Sequence, residues 1–157
     1  MPQLTFGGKY VYGWIQGEAN GKVRLPSEAL SDYGIIPGER VLLMSGSKTS
    51  RGFSVLSVPR MRLHDSPLLE AVQPAFESEG TLLQDTWIQH KGRIFATAEL
   101  DQDGELHLTD RALQAFGIPE HKRLLSIRSS NIAFVNIVQG PIVDRALTHP
   151  EVEVFGG

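Results

Sequence analysis

The stretch GKVRLPSEALSDYGIIPGERVLLM, residues 21–44, decides the fold, because it returns as GELHLTDRALQAFGIPEHKRLLSI at residues 104–127. The two stretches align without a gap at an offset of 83 residues, the difference between positions 21 and 104. The residues identical in both copies are Gly21, Leu25, Ala29, Leu30, Gly34, Ile35, Arg40 and Leu42. Self-similarity at a fixed offset indicates two copies of one structural unit.

Each copy begins with the pattern of a β-hairpin. Alternating apolar residues predict a strand over residues 10–16 and an equivalent one over residues 93–100. The pairs Asn20-Gly21 and Asp103-Gly104 follow, and they predict two-residue turns in which both residues take positive φ. Each copy therefore predicts two antiparallel strands joined by a tight turn.

The return strand of the first copy separates apolar from basic side chains. Its period of two places Val23 and Leu25 toward a core and Lys22 and Arg24 together on the opposite face. The strand rise sets these two cations about 7 Å apart, a spacing comparable to that of successive phosphates. An ordinary solvated strand face is the alternative interpretation.

A short helix follows the return strand in both copies. Pro26 suits a first helical position and Thr109 can cap a helix with its hydroxyl, while Gly34 and Gly117 suit the left-handed conformation that ends one. In the first copy, Pro37-Gly38 predicts a type II turn before the next strand. Further strands are predicted at residues 40–44, 53–58 and 133–138.

The repeat divides the chain into four segments. We expect a first repeat at residues 8–58, a helical linker at 59–90, a second repeat at 91–138 and a C-terminal tail at 139–157. One such unit alone buries too little surface to offset its lost chain entropy, so the two repeats are expected to share one core. Two independent β-rich domains are the alternative.

Composition sets limits on the protein class. The chain has 157 residues, no Cys and 41% hydrophobic residues, and no apolar run approaches the roughly 20 residues of a membrane span. The absence of Cys excludes thiol catalysis and thiolate metal sites and favours a reducing compartment. These features predict a cytoplasmic protein without a membrane partner.

Charge is distributed unevenly along the chain. The net charge is -3, yet residues 1–62 carry eight Lys or Arg against four acids, while the remainder carries seven against fourteen. This asymmetry is a hint of one part facing a polyanion beside an acidic part. Uneven solvated charge without a function is the other interpretation.

One acidic stretch imitates a calcium loop. Glu99, Asp101, Asp103, Gly104 and Asp110 match the loop's ligand and glycine spacing. The preceding residues have a strand pattern and the repeat places the stretch on a hairpin turn, so an acidic hairpin is the favoured interpretation. No spacing of residues indicates catalysis, and we predict a protein that is not an enzyme and has no cofactor or metal.

The first copy resembles the AbrB-like swapped-hairpin family, also called SpoVT-AbrB domains. The resemblance lies in GKVRLP at residues 21–26, a short helix ending in Gly34-Ile35, and PGERV at residues 37–41. Two copies in one chain are similar to the MraZ-type proteins. The resemblance implies a mainly β fold with short helices, in which two interleaved hairpins form one pseudo-dimeric barrel.

The same resemblance implies a DNA-binding transcriptional regulator that contacts duplex DNA through its basic first repeat. The candidate DNA-contacting residues are Lys9, Lys22, Arg24, Arg40, Lys48 and Arg51. In the second copy Glu105 stands at the basic position and Thr109 at the proline position. An oligomeric scaffold that has lost its DNA face is therefore the alternative, and a homo-oligomer is expected in either case.

Overall fold

Short strands dominate the computed structural model, which describes residues 4–6, 9–17, 21–119 and 123–155, with the backbone alone for residues 4–6 and 9. The strands are β1 (Leu4–Phe6), β2 (Lys9–Gln16), β3 (Lys22–Arg24), β4 (Arg40–Ser45), β5 (Phe53–Leu56), β6 (Trp87–His90), β7 (Arg93–Glu99), β8 (Glu105–His107), β9 (Arg123–Arg128), β10 (Ala133–Ile137) and β11 (Val154–Phe155). The helices are α1 (Ser27–Asp32), α2 (Val58–Leu63), α3 (Leu68–Ala71), α4 (Asp110–Ala115) and α5 (Pro141–Leu147), with a 3-10 turn at Gln73–Ala75. The predicted mainly β fold with short helices is confirmed.

The two ends of the main sheet contain equivalent strands of the two halves of the chain in the same order. Its strands run β1-β2-β9-β10-β5-β4-β7-β6, and β11 lies parallel to β2. The offset of 83 residues relates β1 to β6, β2 to β7 and β4 to β9, and β5 corresponds to β10 at a slightly shorter spacing. Consequently β2 of the first half pairs with β9 of the second half, and β7 of the second half pairs with β4 of the first.

The remaining two strands, β3 and β8, form a separate antiparallel ribbon. Lys22 faces His107, Val23 faces Leu106 and Arg24 faces Glu105. Because Val23 and Leu106 are equivalent positions in the repeat, the approximate two-fold axis that relates the halves passes through this pair.

The predicted barrel is wrong, because the main sheet is an open path among the strands that the structure describes. It ends at β1 and β6, which are three and four residues long. Closure is not needed to bury this sheet. One face is covered by α1, α4 and the ribbon, and the other face is covered by α5 at one end and by α2 and α3 at the other.

The prediction of a two-residue turn at Asp103-Gly104 is also wrong. Gly104 has the expected positive φ of 79°, but Asp103 is not among the described residues with positive φ. A longer loop forms because the Asp101 carboxylate accepts hydrogen bonds from the backbone N–H groups of Asp103, at 2.9 Å, and Glu105, at 3.0 Å. In the other predicted turn, Asn20 lies outside the described residues.

The short helices begin and end close to where the sequence predicts. Helix α1 follows Pro26, and the Thr109 hydroxyl accepts a hydrogen bond from the Ala112 backbone N–H at 3.1 Å at the start of α4. Gly34 and Gly117 both have φ of 65°, the left-handed conformation that stops a helix. The predicted cap at Thr109 and the predicted ends at Gly34 and Gly117 are confirmed, whereas Pro26 has extended backbone and lies one residue before the helix instead of at its first position.

Aromatic side chains from both halves meet in the main core. Tyr33 lies against Phe134 and Phe53 lies against Phe116, with ring centroids 5.6 Å apart in both pairs. All four side chains are at most 2% exposed. Each pair joins one half of the chain to the other, and the repeat relates one pair to the other, so the interior is built jointly.

The predicted linker and tail also contribute regular structure. Residues 59–90 contain most of α2, all of α3 and the 3-10 turn, and their last four residues form β6. The tail forms α5 and then β11 at the edge of β2. Among the described residues, no helix has the length and apolar character needed to cross a membrane.

The approach of the two ribbon strands generates a first prediction. A Cβ on Gly21 would overlap the Leu108 carbonyl, whereas a Cβ on the equivalent Gly104 would lie 3.6 Å from a Leu30 methyl, an ordinary contact. Both glycines have positive φ, at 83° and 79°, so both alanine variants carry the same backbone strain. Gly21→Ala is expected to lower the free energy of unfolding by about 1–3 kcal/mol more than Gly104→Ala. Urea denaturation measures the difference, and equal losses would contradict the packing that we describe.

Two buried polar side chains generate a second prediction. Ser126 and Asn136 face each other across β9 and β10, and both are fully buried. Neither the Ser126 hydroxyl nor the side-chain Oδ1 of Asn136 has a hydrogen-bond partner among the described residues. Ser57 is equally buried, but its hydroxyl donates to the Tyr33 carbonyl at 2.6 Å.

Ser126→Ala is therefore expected to leave the free energy of unfolding unchanged or to raise it, because the variant removes a buried hydroxyl that has no hydrogen-bond partner in the described ranges. Ser57→Ala, the matched control, is expected to cost about 1–3 kcal/mol because it leaves a buried carbonyl unsatisfied. Both values come from urea denaturation. A larger loss in Ser126→Ala than in Ser57→Ala would show that the Ser126 hydroxyl is bonded in solution.

Candidate nucleic-acid interface

The ribbon formed by β3 and β8 presents the two cations on which the DNA prediction depends most. Val23 is 2% exposed, whereas Lys22 is half-buried and Arg24 is exposed, so the predicted separation of apolar and basic faces is confirmed. The partner strand contributes Glu105 and His107 to the outer face. This face therefore carries two basic side chains, one acidic side chain and one histidine.

One ion pair within the ribbon reduces its positive charge, and a second contact ties its histidine to the loop before β8. Arg24 Nη2 lies 3.1 Å from Glu105 Oε1, and His107 Nε2 lies 3.2 Å from Asp101 Oδ2. The hydrogen bond from the Glu105 backbone N–H, followed by the one from His107, holds the pKa of Asp101 below its usual range. The carboxylate of Asp101 thus stays charged at neutral pH beside the ribbon.

Arg40 lies away from the ribbon, at the start of β4. Its Nη1 donates a hydrogen bond to the Leu82 carbonyl at 2.9 Å, so it ties β4 to the segment that precedes β6. The side chain of Lys9 lies outside the described residues; its backbone belongs to β2.

Lys48 and Arg51 lie in the loop between β4 and β5, and both are exposed. Arg51 packs beside Gly117 at the end of α4, and the Gly52 N–H donates to the Phe116 carbonyl at 2.8 Å. A cation is favourable at a helix C-terminus, where backbone carbonyls concentrate negative charge. This position accounts for Arg51 without a ligand.

The structure thus distributes the described candidates over three places: Lys22 and Arg24 on the ribbon, Arg40 at the start of β4, and Lys48 and Arg51 in the β4–β5 loop. Their role in DNA contact stays a prediction.

The acidic stretch between residues 99 and 110 forms the end of β7, a loop, β8 and the start of α4, and the part from β7 to β8 is the predicted acidic hairpin. Both oxygens of Asp101 are occupied, one by the loop N–H groups and one by His107. Within the described ranges, no group of three or more His, Asp or Glu residues is placed to hold a metal ion.

The sequence analysis did not single out a polar cluster around Asp32. Its carboxylate accepts hydrogen bonds from the Tyr12 hydroxyl at 2.8 Å and from Arg128 Nη2 at 2.9 Å. Two guanidinium groups lie over the Tyr33 ring, that of Arg60 at 5.3 Å and that of Arg128 at 5.7 Å from its centroid. The cluster joins α1, β2, α2 and β9, and so it connects the two halves.

The repeat itself contains the signal that could have identified this cluster. At the offset of 83 residues, Tyr12 corresponds to Phe95 and Asp32 corresponds to Ala115. A polar residue in one copy that replaces an apolar residue in the other indicates a contact made in only one half.

The environment of this cluster raises the pKa of each tyrosine. Burial, followed by the hydrogen bond to Glu28 at 2.6 Å, raises the pKa of Tyr10 to about 12. Burial and the hydrogen bond to Asp32 raise the pKa of Tyr12 further. Burial also raises the pKa of Tyr33, although Arg128 and Arg60 oppose that shift.

Comparisons of the chain with protein-family models, with curated proteins and with solved structures found no match. The geometry of the described residues therefore carries the functional argument.

The tyrosines generate a prediction about alkaline pH. These three are all the tyrosines in the chain, and each has a raised pKa in the folded state. Because each folded-state pKa is raised, these tyrosines contribute fully to the stability of the folded state below the ordinary tyrosine pKa of about 10. This contribution to the free energy of unfolding is lost as the pH rises through the folded-state pKa. Absorbance at 295 nm is expected to show less tyrosinate near pH 10 in the folded protein than in the unfolded chain.

The urea-unfolded chain is the reference, and all three tyrosines are expected to titrate near pH 10 in that state. Asp32→Asn removes the carboxylate that accepts the Tyr12 hydrogen bond, so it is expected to bring one tyrosine to a lower pKa. A tyrosine that titrates normally while circular dichroism still reports the fold would contradict this geometry.

Proposed function

We propose that the protein is a DNA-binding transcriptional regulator of the AbrB-like type, in which the two repeats act as a swapped-hairpin pseudo-dimer. The support is the crossed pairing of β2 with β9 and of β7 with β4, together with the axis that runs through Val23 and Leu106. Duplex DNA has two-fold axes of its own, and two-fold proteins commonly align with them.

The ribbon of β3 and β8 is the proposed contact element. A two-stranded antiparallel ribbon has dimensions that the major groove of B-DNA admits. Lys22 and Arg24 project from its outer face, and their side chains suit phosphate oxygens. This arrangement is the single observation on which the proposal depends most.

Glu105 limits the affinity that the ribbon can reach. Its carboxylate lies within ion-pair distance of Arg24, and side-chain exposures of 48% for Arg24 and 20% for Glu105 place the pair at the surface. With only a few cations available, the proposal implies weak binding whose logarithm falls with the logarithm of salt concentration at a slope of about -2 to -3.

The second candidate is a non-DNA oligomeric scaffold or protein-interaction module. The specific observation that favours it is the same Arg24–Glu105 pair, since a cation neutralised within its own ribbon contributes little to a polyanion contact. The other described DNA-contact candidates, Arg40, Lys48 and Arg51, lie in two further places, which agrees with this second candidate function.

Fluorescence anisotropy with mixed duplex fragments at several salt concentrations separates the two candidates. Lys22→Ala with Arg24→Ala is expected to abolish most binding and to reduce the salt slope by about 2. Glu105→Gln is expected to tighten binding by roughly threefold to tenfold, because Arg24 then becomes free to contact phosphate. The control is Arg62→Ala with Lys91→Ala, which removes two charges outside the ribbon and is expected to have little effect.

The regulator proposal fails if the protein binds no duplex at low salt. It also fails if Glu105→Gln weakens binding, or if the control variant loses as much affinity as the ribbon variant. Light scattering on the same samples then tests the scaffold, which requires a stable assembly of several copies whose size does not depend on DNA.

A further inference from the structure

A cleft of about 720 Å³ lies beside the start of β4. Its walls are the segment from Gly34 to Leu42, the start of α2, residues 76–82 and the end of β7 with the loop that follows. Small-molecule sites in proteins commonly enclose roughly 300–1,000 Å³. The cleft is therefore large enough for a small organic ligand.

Apolar and polar groups contribute about equally to the cleft's lining. The apolar side chains include Ile35, Ile36, Leu42, Leu56, Val58 and Phe76. Ile36 is 59% exposed on this lining. An apolar ligand would cover it and gain the corresponding burial.

Arg40 is the polar group best placed to orient such a ligand. The residue is half-buried, its Nη1 donates to the Leu82 carbonyl at 2.9 Å, and its Nε is buried without an acceptor among the described residues. A guanidinium has five N–H groups, and a buried donor without an acceptor is costly. A carboxylate that enters the cleft can accept from this guanidinium after a small rotation of the side chain.

A second guanidinium lies on the outer wall. Arg62 is exposed, lies 5.8 Å from the centroid of the Phe76 ring and makes a long contact of 3.5 Å with the Gly80 carbonyl. It adds positive charge near the opening and leaves the guanidinium of Arg40 as the deeper cation.

Acidic side chains also border the cleft, and they restrict the ligand further. Glu39 and Glu99 are exposed on its lining, while the oxygens of Asp101 are already occupied by backbone N–H groups and His107. Glu39 precedes Arg40 in the chain and Glu99 lies opposite Arg40 across β4 and β7, so a ligand with a second negative charge would be repelled by these carboxylates. The electrostatics favour one carboxylate on an otherwise uncharged hydrocarbon body.

We propose that this cleft binds a small apolar monocarboxylate, whose carboxylate pairs with Arg40 and whose hydrocarbon body packs against Ile36, Leu42 and Phe76. The proposal does not depend on DNA binding, because its residues lie outside the ribbon.

Isothermal titration calorimetry of the full chain with 3-phenylpropionate tests the proposal. Saturable binding of one ligand per chain is expected. Arg40→Gln is expected to weaken binding about tenfold or more, because a charged hydrogen bond is lost. Arg123→Gln is the matched control, since Arg123 is the equivalent residue of the second copy, is exposed and does not line the cleft.

A second pair of variants keeps the test valid if Arg40→Gln does not fold. Ile36→Glu places a carboxylate on an exposed part of the lining and is expected to weaken binding at least about tenfold. Leu63→Glu is its control, because Leu63 is 78% exposed and lies outside the lining. Circular dichroism verifies the fold of all four variants.

Two analogues test the class of ligand. Phenylsuccinate adds a second carboxylate and is expected to bind more weakly than 3-phenylpropionate, and 3-phenylpropylamine is expected not to bind. The proposal is overturned if 3-phenylpropionate shows no saturable binding, if folded Arg40→Gln or Ile36→Glu binds as well as the unmodified protein, or if the amine binds as tightly as the acid.

Discussion

Two crossed aromatic contacts, Tyr33 with Phe134 and Phe53 with Phe116, hold the two halves of this chain together. Each contact takes one ring from each half, and both centroid separations are 5.6 Å. The strands above these rings are crossed in the same manner, since β2 pairs with β9 and β7 pairs with β4. If the halves separated, each would expose its aromatic residues and an unpaired strand edge. The shared interior therefore fixes how the two halves, and the surface elements on them, are placed.

Within this constraint, the two halves have diverged mainly in polar residues. The core positions keep their apolar character, as in the equivalence of Tyr33 and Phe116, whereas Asp32 corresponds to Ala115 and Lys22 corresponds to Glu105. The divergence has a structural cost in one place, where Ser126 takes the position equivalent to Leu43 inside the core. A symmetric scaffold thus carries an asymmetric set of polar groups, and the proposed functions depend on that asymmetry.

The ribbon shows how register changes the meaning of a charge pattern. Lys22 and Arg24 form a basic pair when their strand is considered alone. The antiparallel register sets Arg24 opposite Glu105, so that the second copy supplies the counter-ion for the first. Arg40 illustrates a similar change, because the segment before β6 folds back over β4 and offers the Leu82 carbonyl to its guanidinium. Each of these arginine side chains is therefore held by a partner that is distant in sequence.

Local pattern and the repeat were enough to determine the helix ends at Gly34 and Gly117, the apolar face of Val23 and the mainly β class of the fold. These features depend on backbone preferences and on a period of two, which neighbouring residues specify. Only the tertiary structure decided that the main sheet stays open, that Asp101 enlarges its turn, and that Asp32, Tyr12 and Arg128 meet. Sheet closure, ion pairing and the cleft beside Arg40 depend on contacts between residues far apart in the chain, and no local preference specifies those contacts.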